Sequence, residues 1–380
     1  MSSQPRSRFW FILVLLAAIA GGYAVVRVER GGFVDLVAPR NAAARFLAHE
    51  TLYRPDDGHY QFKYLPAFAP LMVPFIWVSK EIAELIWFAL MVVIGWAFVR
   101  LSLDALPDRR RSAQALVWLT LLLTGKFFVR EFVMGQFNLP LALLLLSAVI
   151  AAQRGERFSP GAFVGAGVFV KPYALVLVPW LAWTLGWRPF VAFGLVLVAG
   201  LLLPAATYGW NGNLTLLHEW YRTVTETTAP NLMTPENISF ASMWAKWIGP
   251  GPAAKGLALA SAVAAVVAGL FVMSRRQHVA EPNYLEGAYF FTLVPLLSPQ
   301  GWDYVLVLAV PAYMCLVDRW PDLSPTWRTV ALTGFFLTSF TIFDLLGRPL
   351  YILFMHLAAV SLGAVLVAAC LVHLRWRAVA

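Results

Sequence analysis

Long, uninterrupted apolar runs recur from Phe9 to the C-terminus and decide the fold class before any motif is considered. They occupy about 9–26, 64–79, 82–99, 112–125, 137–152, 159–171, 172–186, 189–208, 252–273, 284–298, 302–317, 329–346 and 350–373. A helix rises 1.5 Å per residue, so about 20 apolar residues cross a bilayer core. No polar stretch is long enough to make a separate domain. The chain, 1–380, therefore reads as a single all-α, polytopic membrane domain. A β-barrel is excluded, because its strands alternate apolar and polar positions over about ten residues. Composition agrees, with 60% hydrophobic and only 13% charged residues, against about 25% charged in soluble domains.

The loops set the orientation. Arg6 and Arg8 precede the first run, which could be a cleaved signal peptide but reads better as a retained span. Pro66, Pro70 and Pro74 make 64–79 a broken or surface segment rather than a straight span. Treated as a dip that returns to its starting face, it places the basic loops on one side. These are Arg100, Arg109 to Arg111, Arg154, Arg157, Arg188, Arg275, Arg276, Arg319, Arg328, Arg375 and Arg377, together with Arg6 and Arg8. The positive-inside rule makes that side cytoplasmic. The expectation is about twelve spans (range 11–13), both termini cytoplasmic, in an inner (cytoplasmic) membrane.

The net charge of +9 is thus a topology signal, and no basic run interleaved with aromatics invites nucleic acid. Cys315 and Cys370 lie inside apolar runs and read as inert core thiols. No zinc-spaced His/Cys set, phosphate loop or serine-nucleophile motif is present, and His49 and His59 read as loop residues. The Asp56–Asp57 pair is the one spot where a divalent metal would find adjacent carboxylates. No metal or cofactor is expected.

Two outer segments, 27–63 and 209–251, are too long to be simple connectors. Both are rich in aromatics and are expected to roof a cavity with juxtamembrane helices. In the first, Asp35 opens a helical stretch, 35–52, whose Leu36, Val37, Ala44 and Leu47 share a stripe. Its plainer role is a helix-start acid favoured by the macrodipole. Lys171 stands in the apolar run VGAGVFVKPYALVLVPW, where a charge marks a functional site by default; the plain alternative is a snorkelling lysine. Pro172 breaks the helix there. A third cluster, GKFFVREFVMGQFN, carries Lys126, Arg130, Glu131, Gln136 and Asn138, with Arg130 and Glu131 readable as a neutralised pair. In SPQGWDYVLV, Trp302 and Asp303 sit at an outer junction, where Asp303 is alternatively a helix cap.

In chain order, Asp35, Leu52-Tyr53, Lys63-Tyr64-Leu65-Pro66, Gly135-Gln136-Phe137-Asn138, Lys171-Pro172, Glu236-Asn237-Ile238-Ser239-Phe240, and Ser298-Pro299 through Trp302-Asp303 resemble the polytopic glycosyltransferases of the GT-C superfold. The closest likeness is to glycosyltransferase family 87, the polyprenyl-phosphate-mannose-dependent group. The chain departs from that pattern at Leu65, Ile238 and Tyr304, where proline, glutamine and histidine are usual.

The resemblance implies an inverting transfer of a hexose, mannose favoured, from a polyprenyl-phosphate carrier to an acceptor hydroxyl of a glycan, lipid or protein at the periplasmic or exterior face. A phosphate leaves as a stable anion, so one carboxylate suffices, in contrast to the two needed for glycoside hydrolysis. Asp35 is the expected base. Lys171 is expected to hold the donor phosphate, with Arg40, Arg45, Lys63 or Arg130 as helpers. Tyr64, Gln136, Asn138, Asn237, Trp302, Asp303 and Tyr304 are expected around sugar or acceptor. The rival reading is a transporter or flippase of a lipid-linked sugar, against which stands the lack of a repeat between the two halves.

Overall fold

The computed structural model describes residues 19–378. The span read over 9–26 therefore lies mostly outside the described residues, which begin in a helical segment at 19–29. Gly31 and Gly32 turn the chain, both with positive φ, +122° and +79°. At Gly32 a Cβ would collide with the Glu84 carboxylate, so glycine is required on two counts. Glu84 then accepts a hydrogen bond from the Phe33 N–H at 3.3 Å and aims the first surface helix, α1 (Val34–Leu47).

The buried face of α1 is Leu36, Pro39, Ala42, Ala43 and Phe46. This corrects the expected stripe: the helix stops at Leu47, which is exposed, as is Ala44. The face is chosen by tertiary neighbours, the Tyr208 ring 5.7 Å from Phe46 and the segment Pro66–Ile76. That proline-rich segment is a 3-10 helix, as expected when three prolines remove the N–H groups that an α-helix needs. Arg40 fastens it by donating to the Phe75 and Val78 carbonyls at 3.2 and 3.4 Å.

The remaining helices run in chain order: α2 (Lys80–Ala105), α3 (Ala113–Met134), α4 (Asn138–Gln153), α5 (Ser159–Val170), α6 (Val178–Leu185), α7 (Arg188–Leu202), α8 (Ala205–Thr228), α9 (Phe240–Ile248), α10 (Pro252–Met273), α11 (Asn283–Leu297), α12 (Val310–Asp318), α13 (Pro325–Ser339), α14 (Phe343–His356) and α15 (Ala359–Arg377). Among the described residues, α2, α10 and α15 are long and apolar enough to cross a membrane, and two bent pairs raise the number to five. Others, such as α4 and α5, are apolar but shorter. Counting every apolar run as a crossing thus exceeds what helix length alone supports.

Three runs, 189–208, 329–346 and 350–373, depart from their expected form. α7 and α8 meet at 91°, and α13 and α14 at 97°, so α8 and α14 turn out of the bundle direction. The runs 329–346 and 350–373 are accordingly not two straight spans. Left-handed Gly347, followed by Pro349, kinks α14, and Ala358 (φ +53°) separates it from α15. Asp344 and Arg348 give α14 the mixed character of an interfacial helix.

Core and exterior differ from those of a soluble protein. Every residue from Asp303 to Asp318 is buried, making that segment and α11 the centre of the bundle. Large apolar side chains face outward elsewhere, including Trp96, Leu122, Leu195, Leu259 and Phe271. An apolar exterior on that scale matches lipid rather than water.

The loops gather at two ends. At one, Gln153 donates to the Ala105 carbonyl at 3.1 Å, Arg319 donates to the Pro107 carbonyl at 2.7 Å, and Arg110 pairs with Asp322. Leu106, Glu281, Cys315 and Arg377 line one recess there. The other end collects α1, Pro66–Ile76, α8 and the junctions around Lys171 and Trp302 about a second cavity.

Near the first end, Arg375 on α15 donates from Nε and Nη2 to Glu286 on α11 at 3.0 and 2.8 Å, with both residues almost wholly buried. Arg375→Met leaves the buried carboxylate only the longer pair with Arg276 at 3.6 Å and should lower stability by about 3 kcal/mol. Adding Glu286→Met should recover much of that loss. Denaturation midpoints of the purified detergent-solubilised proteins check this, and a double variant no more stable than the single one would contradict it.

Candidate active site

The cavity at the second end measures about 620 Å³. Its chemistry starts from two chain breaks. α3 ends at left-handed Gly135, φ +75°, where a Cβ would press on Phe33. Phe137 then drives into an aromatic nest with Trp87, Tyr64 and Phe68, at centroid distances of 4.3, 5.2 and 5.2 Å. With Phe137 anchored, its neighbours Gln136 and Asn138 both reach Lys171. The second break is Lys171 itself, held extended (φ −154°, ψ 134°) because the following proline disfavours the helical conformation.

These pieces meet in one hydrogen-bonded chain. Gln136 Nε2 donates to Asp35 Oδ2 at 2.5 Å. Lys171 Nζ donates to Gln136 Oε1 at 3.1 Å and to Asn138 Oδ1 at 2.8 Å. Asn138 Nδ2 donates to the buried carboxylate of Glu131, which also accepts the Asn138 backbone N–H at 3.1 Å. Asp35 and Lys171 therefore occupy the same cavity, joined through a single amide.

The roof comes from the two long outer segments. Thr51 donates to Glu219 at 2.6 Å, Tyr208 to the Glu50 carbonyl at 2.9 Å, and Trp220 Nε1 to the Lys63 carbonyl at 3.1 Å. Tyr53 donates to the Tyr64 carbonyl at 2.7 Å. A far wall is made by residues 228–237 and 298–304. An isolated antiparallel bridge pairs Asn237 with Trp302, fixed by Ile238 N–H to Gly301 carbonyl at 2.7 Å and Asp303 N–H to Glu236 carbonyl at 3.0 Å. Trp302 and Tyr304 stack at 6.4 Å, and the Arg130 guanidinium lies 5.5 Å from the Tyr304 ring.

Of the residues singled out from sequence, Asp35, Lys63, Tyr64, Arg130, Gln136, Lys171, Trp302 and Tyr304 line the cavity. Asn138, Asn237 and Asp303 are fully buried behind it. Asn237 ties the wall together through the Pro299 and Asn231 carbonyls at 3.2 and 3.0 Å. Asp303 lies between Lys126 and Arg130 at 3.1 and 3.3 Å, so it pairs with two cations instead of facing the cavity. Arg40 and Arg45 are not brought to the cavity. Arg40 holds Pro66–Ile76, and Arg45 makes a two-pronged pair with Asp57 at 2.6 and 2.7 Å, which engages one of the two adjacent carboxylates that had suggested a metal. Among the described residues, no group of three or more His, Cys, Asp or Glu could hold a metal ion.

Sequence reasoning missed part of the lining: Glu236, Gln300, Thr228, Asn231 and Tyr173. Tyr173 donates to the Gln300 carbonyl at 3.0 Å, and Gln300 Nε2 to Thr228 at 2.9 Å. Glu236 and Gln300 sit within or beside the short motifs already noted, and that adjacency was the only signal available.

Burial pushes the Lys63 ammonium below the usual lysine value, and the nearby Asp35 carboxylate works against that fall. Removing the carboxylate removes the opposing influence, so Asp35→Asn should lower the Lys63 value further. Methylating the lysines and following the Lys63 carbon resonance against pH measures this, and an unchanged midpoint would place the two groups out of electrostatic reach.

A family model described as glycosyltransferase family 87 matches residues 62–299. No curated protein and no solved structure gives a match. The matched segment holds Lys63, Tyr64, Arg130, Glu131, Gln136, Asn138, Lys171 and Glu236, while Asp35 precedes it and Trp302 to Tyr304 follow it. Since the match spans well over half of the sequence, the chain belongs to glycosyltransferase family 87.

Proposed function

We propose that the cavity transfers a hexose, with mannose favoured, from a polyprenyl-phosphate-linked donor to an acceptor hydroxyl, with inversion at the anomeric carbon. The observation that carries this reading is the Asp35–Gln136–Lys171 connection, which sets a carboxylate and an ammonium in one cavity without letting them pair directly.

The acceptor oxygen attacks the anomeric carbon as the bond from that carbon to the phosphate oxygen breaks. Asp35 takes the acceptor's proton. The departing polyprenyl phosphate keeps the bonding electrons, so no acid has to protonate it. Its charge needs fixed cations, which Lys171 supplies with Lys63 and Arg130 on the same cavity surface. A cation at 4 Å contributes roughly 4 kcal/mol at an effective dielectric of 20, and preorganised charge of this sort is commonly the largest catalytic contribution. Val170, Val176, Val224 and Leu297 give the lining an apolar side suited to the carrier's first prenyl units. Trp302, Tyr304 and Tyr64 offer faces for the sugar ring.

The basic loops collect away from the cavity, which by the positive-inside rule turns the cavity toward the periplasm or exterior. About twelve passages, with both termini cytoplasmic, fit that orientation if the short helices count as crossings.

Two substitutions test the chemistry. With a labelled polyprenyl-phosphate sugar, Asp35→Asn should lower kcat by about 10²-fold or more while donor binding holds within a few-fold. Lys171→Met should lose about 10²–10³-fold. Wild-type turnover in Asp35→Asn would remove the base. Flux of the lipid-linked sugar across liposomes without any glycosylated product would favour a transporter.

A further inference from the structure

Glu131 does not line the cavity. It sits on the last turn of α3 with 1% of its surface exposed. The position is unfavourable for a carboxylate in two ways. Burial strips its hydration, and the C-terminal end of a helix presents the negative pole of the peptide dipoles. A residue kept there needs partners that make up for both, and its partners lead to the centre of the cavity.

An ionised carboxylate only accepts hydrogen bonds, an ammonium only donates them, and a primary amide does each at a different atom. Between a carboxylate and an ammonium, an amide therefore has one satisfactory orientation. Asn138 is held in this way. Its Nδ2 faces Glu131 and its Oδ1 faces Lys171 Nζ at 2.8 Å. Gln136 is held in the same manner from the other side, between Asp35 and Lys171. Two of the three Lys171 N–H bonds are thereby committed to fixed amide oxygens, and the direction of the third is fixed with them. Without the Glu131 charge, the Asn138 amide loses the contact that keeps its NH2 turned away from the ammonium.

Resting on the reading of Lys171 as the phosphate-holding cation, we propose that Glu131 is a positioning residue that acts through Asn138 to aim the Lys171 ammonium at the donor phosphate. Asp35 and Glu131 are the two carboxylates acting on that ammonium, and Lys63 is the cation opposing it. Glu131 has a second, structural duty, since it accepts the backbone N–H of Asn138, the first residue of α4, whose preceding residue Phe137 provides no side-chain cap. The test must separate the two duties.

Glu131→Gln separates them. Its carbonyl oxygen still accepts the Asn138 backbone N–H, while its NH2 can satisfy Asn138 Oδ1 and release the amide from its imposed orientation. Turnover is measured in a double-mutant cycle with Lys171→Met, with thermal midpoints recorded for all four proteins. Glu131→Gln alone should lower kcat by about 10-fold, leave the acceptor KM within about twofold, and change turnover less than about twofold in the Lys171→Met background. Glu131→Asp retains an acceptor-only carboxylate; it should recover part of the lost turnover, and it carries the cycle if the glutamine variant fails to fold. Equal fractional losses in both backgrounds would show a role independent of Lys171 and overturn the proposal, as would wild-type turnover in Glu131→Gln. Wild-type turnover in Lys171→Met would overturn the phosphate reading as well, so the two failures can be told apart.

Discussion

One primary amide governs the geometry of the cavity. An Asp35 carboxylate and a Lys171 ammonium left to themselves in a partly buried site would close into an ion pair, each neutralising the other. Gln136 stands between them, giving each a hydrogen bond while keeping them a side-chain amide apart. Charges held in that way stay available to a proton and to a phosphate, and they need no reorganisation when substrate arrives. Much of the surrounding fold serves this spacing. Gly135 ends α3 at the right residue, Phe137 locks the loop, Pro172 holds Lys171 extended, and Glu84 with Gly32 sets the entry of α1 and hence of Asp35.

Membership of glycosyltransferase family 87 rests on the middle of the chain, yet the cavity is assembled from further afield. α1 arrives from before the matched segment, and Trp302 and Tyr304 from after it. The Asn237–Trp302 bridge, almost the only sheet-like pairing among the described residues, stitches the later piece to the matched one. Asp303 follows immediately, buried between Lys126 and Arg130, and ties that wall to α3. The wall is therefore held by main-chain bonds and ion pairs that a substrate does not need to disturb.

The features legible in the sequence were those imposed by backbone chemistry or by the cost of charge in lipid. Pro66, Pro70 and Pro74 announced a segment unable to form an ordinary helix, Lys171-Pro172 announced a break with a charge on it, and the Gln136–Asn138 stretch announced polar groups at a junction. What was hidden depended on direction and on distant partners. Arg130 and Glu131 looked like a self-neutralised pair, but consecutive helical residues point about 100° apart, and one reaches Asp303 while the other reaches Asn138. Arg40 and Arg45 looked free because their partners, the Phe75 and Val78 carbonyls and Asp57, are brought in by folding. The runs 329–346 and 350–373 looked like two spans because hydropathy registers composition and is blind to a 97° bend.

The most direct test is a structure of the protein with a non-transferable polyprenyl-phosphate sugar bound. If Asp35 and Lys171 bracket the reacting centre, the phosphate will lie within about 4 Å of Lys171 Nζ, and the face of the anomeric carbon opposite the phosphate will be open toward Asp35. A phosphate seated elsewhere, with Gln136 still bridging two groups that touch no part of the donor, would contradict that arrangement.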